Sequence, residues 1–238
     1  MGLVIHGYDL HRILQEIQTR SAQGLKTWIV TANAEILLTA KRSPAYWETI
    51  RQADFRFVDG FGPQLIGFLR GTRAKRVAGV ELSEAMAQLC LQKNWTLGLV
   101  GGQDGVADKA AWELRKAYPE IKVWTETGGQ VAPDGRADET GEASLTKLFE
   151  YEPDVLLVAF GHPKQEYWIQ KYKDRLPTVK VFMGVGGTLD FWAGHAVRAP
   201  LWMRHMGLEW LWRLIQEPWR WRRIWDAVIV FPIRALFG

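Results

Sequence analysis

Six short apolar runs recur along the chain with helix-patterned stretches between them, and this alternation leaves few folds open. The runs cover residues 27–31, 55–59, 95–100, 121–125, 155–160 and 179–183. Each is near five residues long and almost wholly apolar, whereas a strand with one wet face would alternate polar and apolar side chains. Strands apolar on both faces belong to parallel sheets covered by helices on either side. Between them, residues 8–22 set Leu10, Ile13, Leu14 and Ile17 on one helical face, and residues 82–91 do the same with Leu82, Met86, Leu89 and Cys90. Residues 104–118 open with an acidic turn at Asp104 and stop before Pro119; residues 144–149 and 166–172 complete the series. The fold class this predicts is α/β: a Rossmann-like, mostly parallel sheet with helices on both faces, plus a C-terminal helical appendage. The Gly-, Asp- and Pro-rich residues 130–141 read as a surface loop, and no internal repeat is present.

The composition breaks near Pro200, which divides the chain into a body, residues 1–199, and an appendage, residues 200–238. Six of the thirteen Trp fall in the appendage: Trp202, Trp210, Trp212, Trp219, Trp221 and Trp225. From Arg198 onward, seven Arg against three acids carry the whole net charge of +4. Trp favours the boundary between water and lipid, and Arg binds phosphate through a planar fork of donors. The segment therefore reads as an element for an anionic membrane surface; the plainer alternative is a helix pair docked on the core with its Arg solvated. The body is close to neutral, which excludes a nucleic-acid partner as an expectation. No run approaches the roughly 20 apolar residues of a membrane span, and the N-terminus has no leader pattern. The single Cys, Cys90, sits in an apolar helical pattern and is expected to be a buried structural thiol in a reducing compartment.

Ligands of such sheets gather at the carboxyl ends of the strands, and the polar and glycine-rich residues do the same here. Thr31-Ala32-Asn33-Ala34-Glu35 follows the first run; taken alone, helix capping is its favoured reading. Val58-Asp59-Gly60-Phe61-Gly62 places a carboxylate in a tight turn, either an Asx-type cap or a base within reach of a substrate hydroxyl. Gly101 and Gly102 precede a helix, a junction whose amides suit a diphosphate. In Gly161-His162-Pro163-Lys164-Gln165-Glu166, Pro163 opens a helix whose Lys164 and Gln165 could face a ligand. Gly184-Val185-Gly186-Gly187-Thr188-Leu189-Asp190 is a further strand-end loop. The scattered His and the absence of an Asp-x-Asp pair predict no metal site, leaving cations and helix dipoles to neutralise a diphosphate.

With Arg76-x-x-Gly79, Arg198-Ala199-Pro200, residues 207–214 and residues 217–223, these segments resemble, in order, the WecG/TagA/CpsF family of bacterial glycosyltransferases. The resemblance implies a metal-independent inverting enzyme with no cofactor. It would move an N-acetylmannosamine-type sugar from a UDP-sugar donor to an undecaprenyl-diphosphate-linked acceptor in cell-surface polysaccharide synthesis. Residues 1–199 would then be the catalytic domain. Asp59 matches the general base, and Thr31 and Asn33 line its pocket. Gln165 matches a donor-site residue, to which Arg76, Gly101, Gly102, Lys164, Gly186, Gly187 and Asp190 are added as donor-binding candidates. Arg213, Arg220 and Arg223 match arginines over the lipid diphosphate, and the i, i+3 spacing of Arg220 and Arg223 sets both on one face of a helix opened by Pro218. Glu81 and His162 depart from the family pattern. The expected location is cytoplasmic, peripheral on the inner face of the plasma membrane, with a homo-oligomer compatible with the sequence. Two other functions stay open at this stage: a non-catalytic lipid-diphosphate module, and a nucleotide-dependent oxidoreductase on the same fold.

Overall fold

The computed structural model describes residues 3–71, 75–103 and 105–237, with the side chain of His205 left aside. Six strands run β1 Thr27–Ala32, β2 Phe55–Val58, β3 Thr96–Gly101, β4 Lys122–Glu126, β5 Val155–Ala159 and β6 Val181–Gly184. They form one wholly parallel sheet in the order β2-β1-β6-β5-β3-β4. All six runs seen in the sequence are strands, within two residues at each end.

Period-two alternation sends each strand into two cores. Ile29 of β1 and Val155, Leu157 and Ala159 of β5 join helices Leu10–Ala22, Gly79–Lys93 and Val106–Ala117 on one face. Trp28, Val30 and Ala32, with Leu156 and Val158, meet Ala34–Arg42, Pro44–Arg51, Glu139–Tyr151 and Lys164–Tyr172 on the other. With both faces covered, every residue of β1, β2, β5 and β6 is buried, which is why their sequence is mostly apolar, with Thr27, Thr31 and Arg56 the buried exceptions. Cys90 is fully buried in the first core, and that burial pushes its thiol up to about 12. Asp104 lies outside the described residues; the helix it was expected to begin runs Val106–Ala117 after Gly105.

Helices Ala34–Arg42 and Pro44–Arg51 are capped by Asn33 and Ser43, whose side chains accept from Ile36 N–H and Tyr46 N–H. The appendage forms short helices Leu201–His205 and Glu209–Gln216, then a helical path from Pro218 to Phe237 through a 3₁₀ turn and a π turn. It lies against the body. Phe231 packs with Ala34, Leu38 and Ile66, and Asp226 accepts from Arg42 at 3.1 Å. No helix among the described residues is long and apolar enough to cross a membrane.

Two aspartates tie strand starts together in the same way. Asp54, before β2, accepts from Trp28 N–H at 2.8 Å and pairs with Arg20; Asp154, before β5, accepts from Thr96 N–H at 2.7 Å and pairs with Lys180. Asp154→Ala leaves a buried amide without its acceptor and a cation without its partner. It is expected to lower unfolding free energy by about 2 kcal/mol in urea titrations, with Asp154→Asn losing less.

Candidate functional site at the carboxyl edge of the sheet

Asp59 follows directly on β2. Gly60 takes φ +96°, a conformation other residues rarely adopt, and so lets the chain turn at once into helix Phe61–Leu69. Residues 75–78 return alongside the end of β2, where Val77 N–H donates to the Val58 carbonyl at 2.8 Å. That return delivers two groups. Gly79 N–H donates to Asp59 Oδ2 at 3.2 Å, and Arg76 stands beside the carboxylate, itself paired with Glu209 Oε2 at 3.1 Å. Thr31 is the third member. A Cβ built on Gly79 would lie 3.1 Å from Thr31 Oγ1 and 3.4 Å from Asp59 Oδ2, so only glycine lets the hydroxyl, the carboxylate and the amide meet without displacement.

Burial pushes the Asp59 carboxyl up to about 6, and Glu209 and Glu81 add to this; the Gly79 hydrogen bond and Arg76 oppose it. A carboxylate at that level is ionised at neutral pH and still basic enough to take a proton, the balance a general base requires. Glu81, the departure from the family pattern, is occupied by Arg198 at 3.3 Å and Arg204 at 3.8 Å.

A second group forms where β6 and β5 end. Gln165 is buried; its Nε2 donates to Glu166 Oε1 at 2.7 Å and its Oε1 accepts from Gly186 N–H at 3.1 Å. Tyr46 OH donates to Glu166 Oε2 at 3.0 Å, so the buried Glu166, its carboxyl raised by desolvation, braces Gln165 from behind. Lys164 is half-buried at the first position of that helix. A Cβ on Gly187 would lie 3.5 Å from Asp190 Oδ2 and 3.6 Å from Arg213 Nη2, which joins the β6 loop to the appendage. Arg213 also stacks on Phe191, 4.7 Å from guanidinium to ring centre; burial, then Arg220, lowers its pKa.

Several expectations change. Gly102 N–H donates to the Ala159 carbonyl and Gly186 N–H to Gln165, so these amides serve the loops themselves and are not open to a diphosphate. Gly101 and Gly102 sit at the β3 end beside Phe160, apart from the Asp59 group. The Asn33 side chain caps a helix. Arg220 and Arg223 do not grip together: a 3₁₀ turn at Pro218–Arg220 shifts the phase, and Arg220 joins Arg213 on Glu217, at 2.8 and 3.6 Å. Arg223 instead makes a two-pronged pair with Glu35, at 3.1 and 2.6 Å, beside His162 Nδ1 at 3.5 Å from the same carboxylate. Sequence reasoning missed Glu35, Glu209 and Glu217 as partners; Glu217, four residues after Arg213 and three before Arg220, was the legible one. Among the described residues no three His, Cys, Asp or Glu side chains gather as a metal site would need.

The buried carboxylate, raised into the range of a base, thus lies at the strand-end edge of a parallel sheet with Arg76 beside it. The chain matches the Glycosyl transferase WecG/TagA/CpsF family over residues 1–237 and belongs to it; it is a glycosyltransferase. It is 32% identical over 197 residues, 82% of this chain and 74% of the relative, to the N-acetylglucosaminyldiphosphoundecaprenol N-acetyl-beta-D-mannosaminyltransferase of Bacillus subtilis (strain 168). A Staphylococcus aureus (strain MRSA252) protein of the same name is 32% identical over 198 residues, 83% of this chain and 74% of its own length.

The raised carboxyl of Asp59 makes a stability prediction. Between its ordinary 3.8 and about 6 the native state binds more protons than the unfolded one, so stability falls as pH rises through that window. Asp59→Asn removes the charge and keeps an oxygen for the Gly79 amide. It is expected to be more stable than wild type at pH 8, by up to about 3 kcal/mol, with the gap closing below pH 4; urea titrations at the two pH values measure this.

Proposed function

We propose that the chain transfers an N-acetylmannosamine-type sugar from a UDP-sugar to the sugar of a polyprenyl-diphosphate-linked acceptor, with inversion and without a metal. The names of the relatives support the sugar and the lipid. The single observation that carries the mechanism is Asp59, buried at the strand end, held by Gly79 N–H beside Thr31 and raised to about 6.

The acceptor hydroxyl gives its proton to the Asp59 carboxylate as its oxygen bonds to C1 of the donor sugar. The C1–O bond to UDP breaks on the opposite face, and its electron pair leaves on the diphosphate. Thr31 and Asn33 shape the wall on the base side. Gln165, locked between Glu166 and Gly186, presents a rigid edge to the donor, with Lys164, Gly187 and Asp190 around it and Arg76 near the base. Arg213, Arg220 and Arg223 supply positive charge over the acceptor diphosphate. The appendage, residues 200–238, is an anionic-membrane element that closes this catalytic body, residues 1–199. Its support is the exposure of Trp202, Trp219, Trp221 and Trp225, at 61%, 73%, 55% and 56%. On this reading the protein works at the inner membrane face, where a lipid-linked acceptor and a soluble nucleotide sugar meet.

UDP release, measured with a panel of UDP-sugars and a short-chain polyprenyl-diphosphate-GlcNAc, tests the reading; UDP-N-acetylmannosamine is expected to be the best donor. With it, kcat/KM should rise through an acid limb near pH 6. Asp59→Asn should lower kcat by about 10²–10⁴-fold with donor binding retained; a variant keeping a third of wild-type kcat rules Asp59 out as the base. Excess EDTA is expected to leave the rate unchanged, since no three His, Cys, Asp or Glu side chains gather to hold a divalent ion among the described residues. Loss restored by Mg²⁺ or Mn²⁺ overturns that part.

A further inference from the structure

Helix Phe61–Leu69 has one polar side chain, Gln64, and is otherwise apolar or glycine. None of its nine residues is charged. Its inner face is used: Pro63 is buried, and Ile66 packs with Ala34, Leu38 and Phe231. Its outer face is a stripe at i, i+4, i+7 and i+8, the spacing of a core contact. Yet those residues, Phe61, Leu65, Phe68 and Leu69, are 46%, 43%, 67% and 59% exposed. A stripe of four large exposed apolar side chains on one helix marks a surface that meets protein or lipid.

What surrounds the stripe distinguishes the two. The C-terminal helix Phe231–Phe237 packs beside it and carries exposed Ile233 and Phe237. Arg70, directly after the first helix, and Arg234, within the second, are both exposed. Exposed apolar side chains accompanied by exposed Arg, next to an appendage whose Trp face solvent, match the layering of an anionic bilayer surface: acyl chains inside, headgroups around. A second protein copy would need about 800 Å² per partner for a standard interface, more than four side chains and a helix end supply.

We infer that helix Phe61–Leu69 is itself a bilayer-inserting element, so that the catalytic body and not only the appendage enters the membrane. Phe61, Leu65, Phe68 and Leu69 lie among the acyl chains, together with Ile233 and Phe237, and Arg70 and Arg234 lie among the lipid phosphates. This deepens the proposed function and rests on its membrane reading. It also adds a consequence for the reaction. The helix begins two residues after Asp59, across the Gly60 turn, so seating its outer face in the bilayer fixes the depth of the base relative to a lipid-borne diphosphate.

The full-length protein tests this with vesicles of equal parts phosphatidylglycerol and phosphatidylcholine. Cys90, the only Cys, is buried, so a cysteine placed at Phe68 (Phe68→Cys) can be labelled alone with an environment-sensitive nitrobenzoxadiazole dye. On vesicle addition the dye is expected to shift to the blue and to be quenched by doxyl-labelled lipid. The double variant Phe68→Glu/Leu69→Glu should lower vesicle partitioning about tenfold or more. It should slow transfer to a vesicle-borne acceptor by a similar factor, and it should leave transfer to a soluble short-chain acceptor within about twofold of wild type. If the wild type sediments with vesicles while the dye stays in water and the double variant binds as well as wild type, the inference is wrong and the appendage reading stands. If the wild type does not bind vesicles, both fail. If the double variant alters only sedimentation-equilibrium mass, the stripe is a contact between copies and the inference is wrong.

Discussion

Six parallel strands can be buried only if helices cover both faces of the sheet, and that requirement decides where everything else can go. The two cores, one on each face, consume the apolar side chains of β1, β2, β5 and β6 and leave the strand ends as the only part of the sheet that can meet a ligand. The amino ends are closed by Asp54 and Asp154, which satisfy the first amide groups of the neighbouring strands. The carboxyl ends are left to glycine turns and polar side chains. Because β6 lies between β1 and β5, residues far apart in sequence come to one edge: Thr31 and Asp59 from one half, Gln165 from the other, and Gly186 and Gly187 from the loop between.

Electrostatics at that edge is arranged in pairs. Arg76, Arg213, Arg220 and Arg223 would repel one another over a small area; Arg220 and Arg223 both act against the charge of Arg213. Glu209, Glu217 and Glu35 stand against them. Half-exposed pairs of this kind add little stability, so their effect is orientation. Each carboxylate fixes a flexible guanidinium without removing its remaining donors. Glu209 does a second thing: it reaches from the appendage to Arg76 and raises the carboxyl of Asp59. Burial is the larger cause of the rise, and the appendage residue adds a smaller part to it.

Much of this was legible in the sequence because it follows from period and punctuation. The strands announced themselves as short apolar runs, and Asp59 and Gln165 stood at strand ends with Gly beside them. What was not legible depends on long-range partners or on which side of a helix faces water. The Asn33 oxygen could cap or bind, and only the position of Ile36 N–H decides. Gly102 and Gly186 looked like open amides until Ala159 and Gln165 arrived to accept from them. Arg220 and Arg223 looked like a pair at helical spacing; the 3₁₀ turn after Pro218 and the carboxylate of Glu217 separate them. The start of helix Phe61–Leu69 was hidden because Asp59 with Gly60 and Gly62 read as a tight turn.

That hidden helix joins the two halves of the argument. Gly60 must be glycine for the chain to leave β2 and enter the helix without a spacer, and this puts a carboxylate and an apolar stripe on consecutive turns of chain. The appendage crosses the same helix twice: at Gly207, where a Cβ would come within 2.5 Å of Phe61, and along Phe231–Phe237. The base, the stripe and the arginine-bearing appendage are therefore packed against one another. If the proposed seating holds, a lipid-linked substrate brings its diphosphate to a set depth at the membrane surface, and packing between the apolar face and the buried carboxylate sets the matching depth of the base.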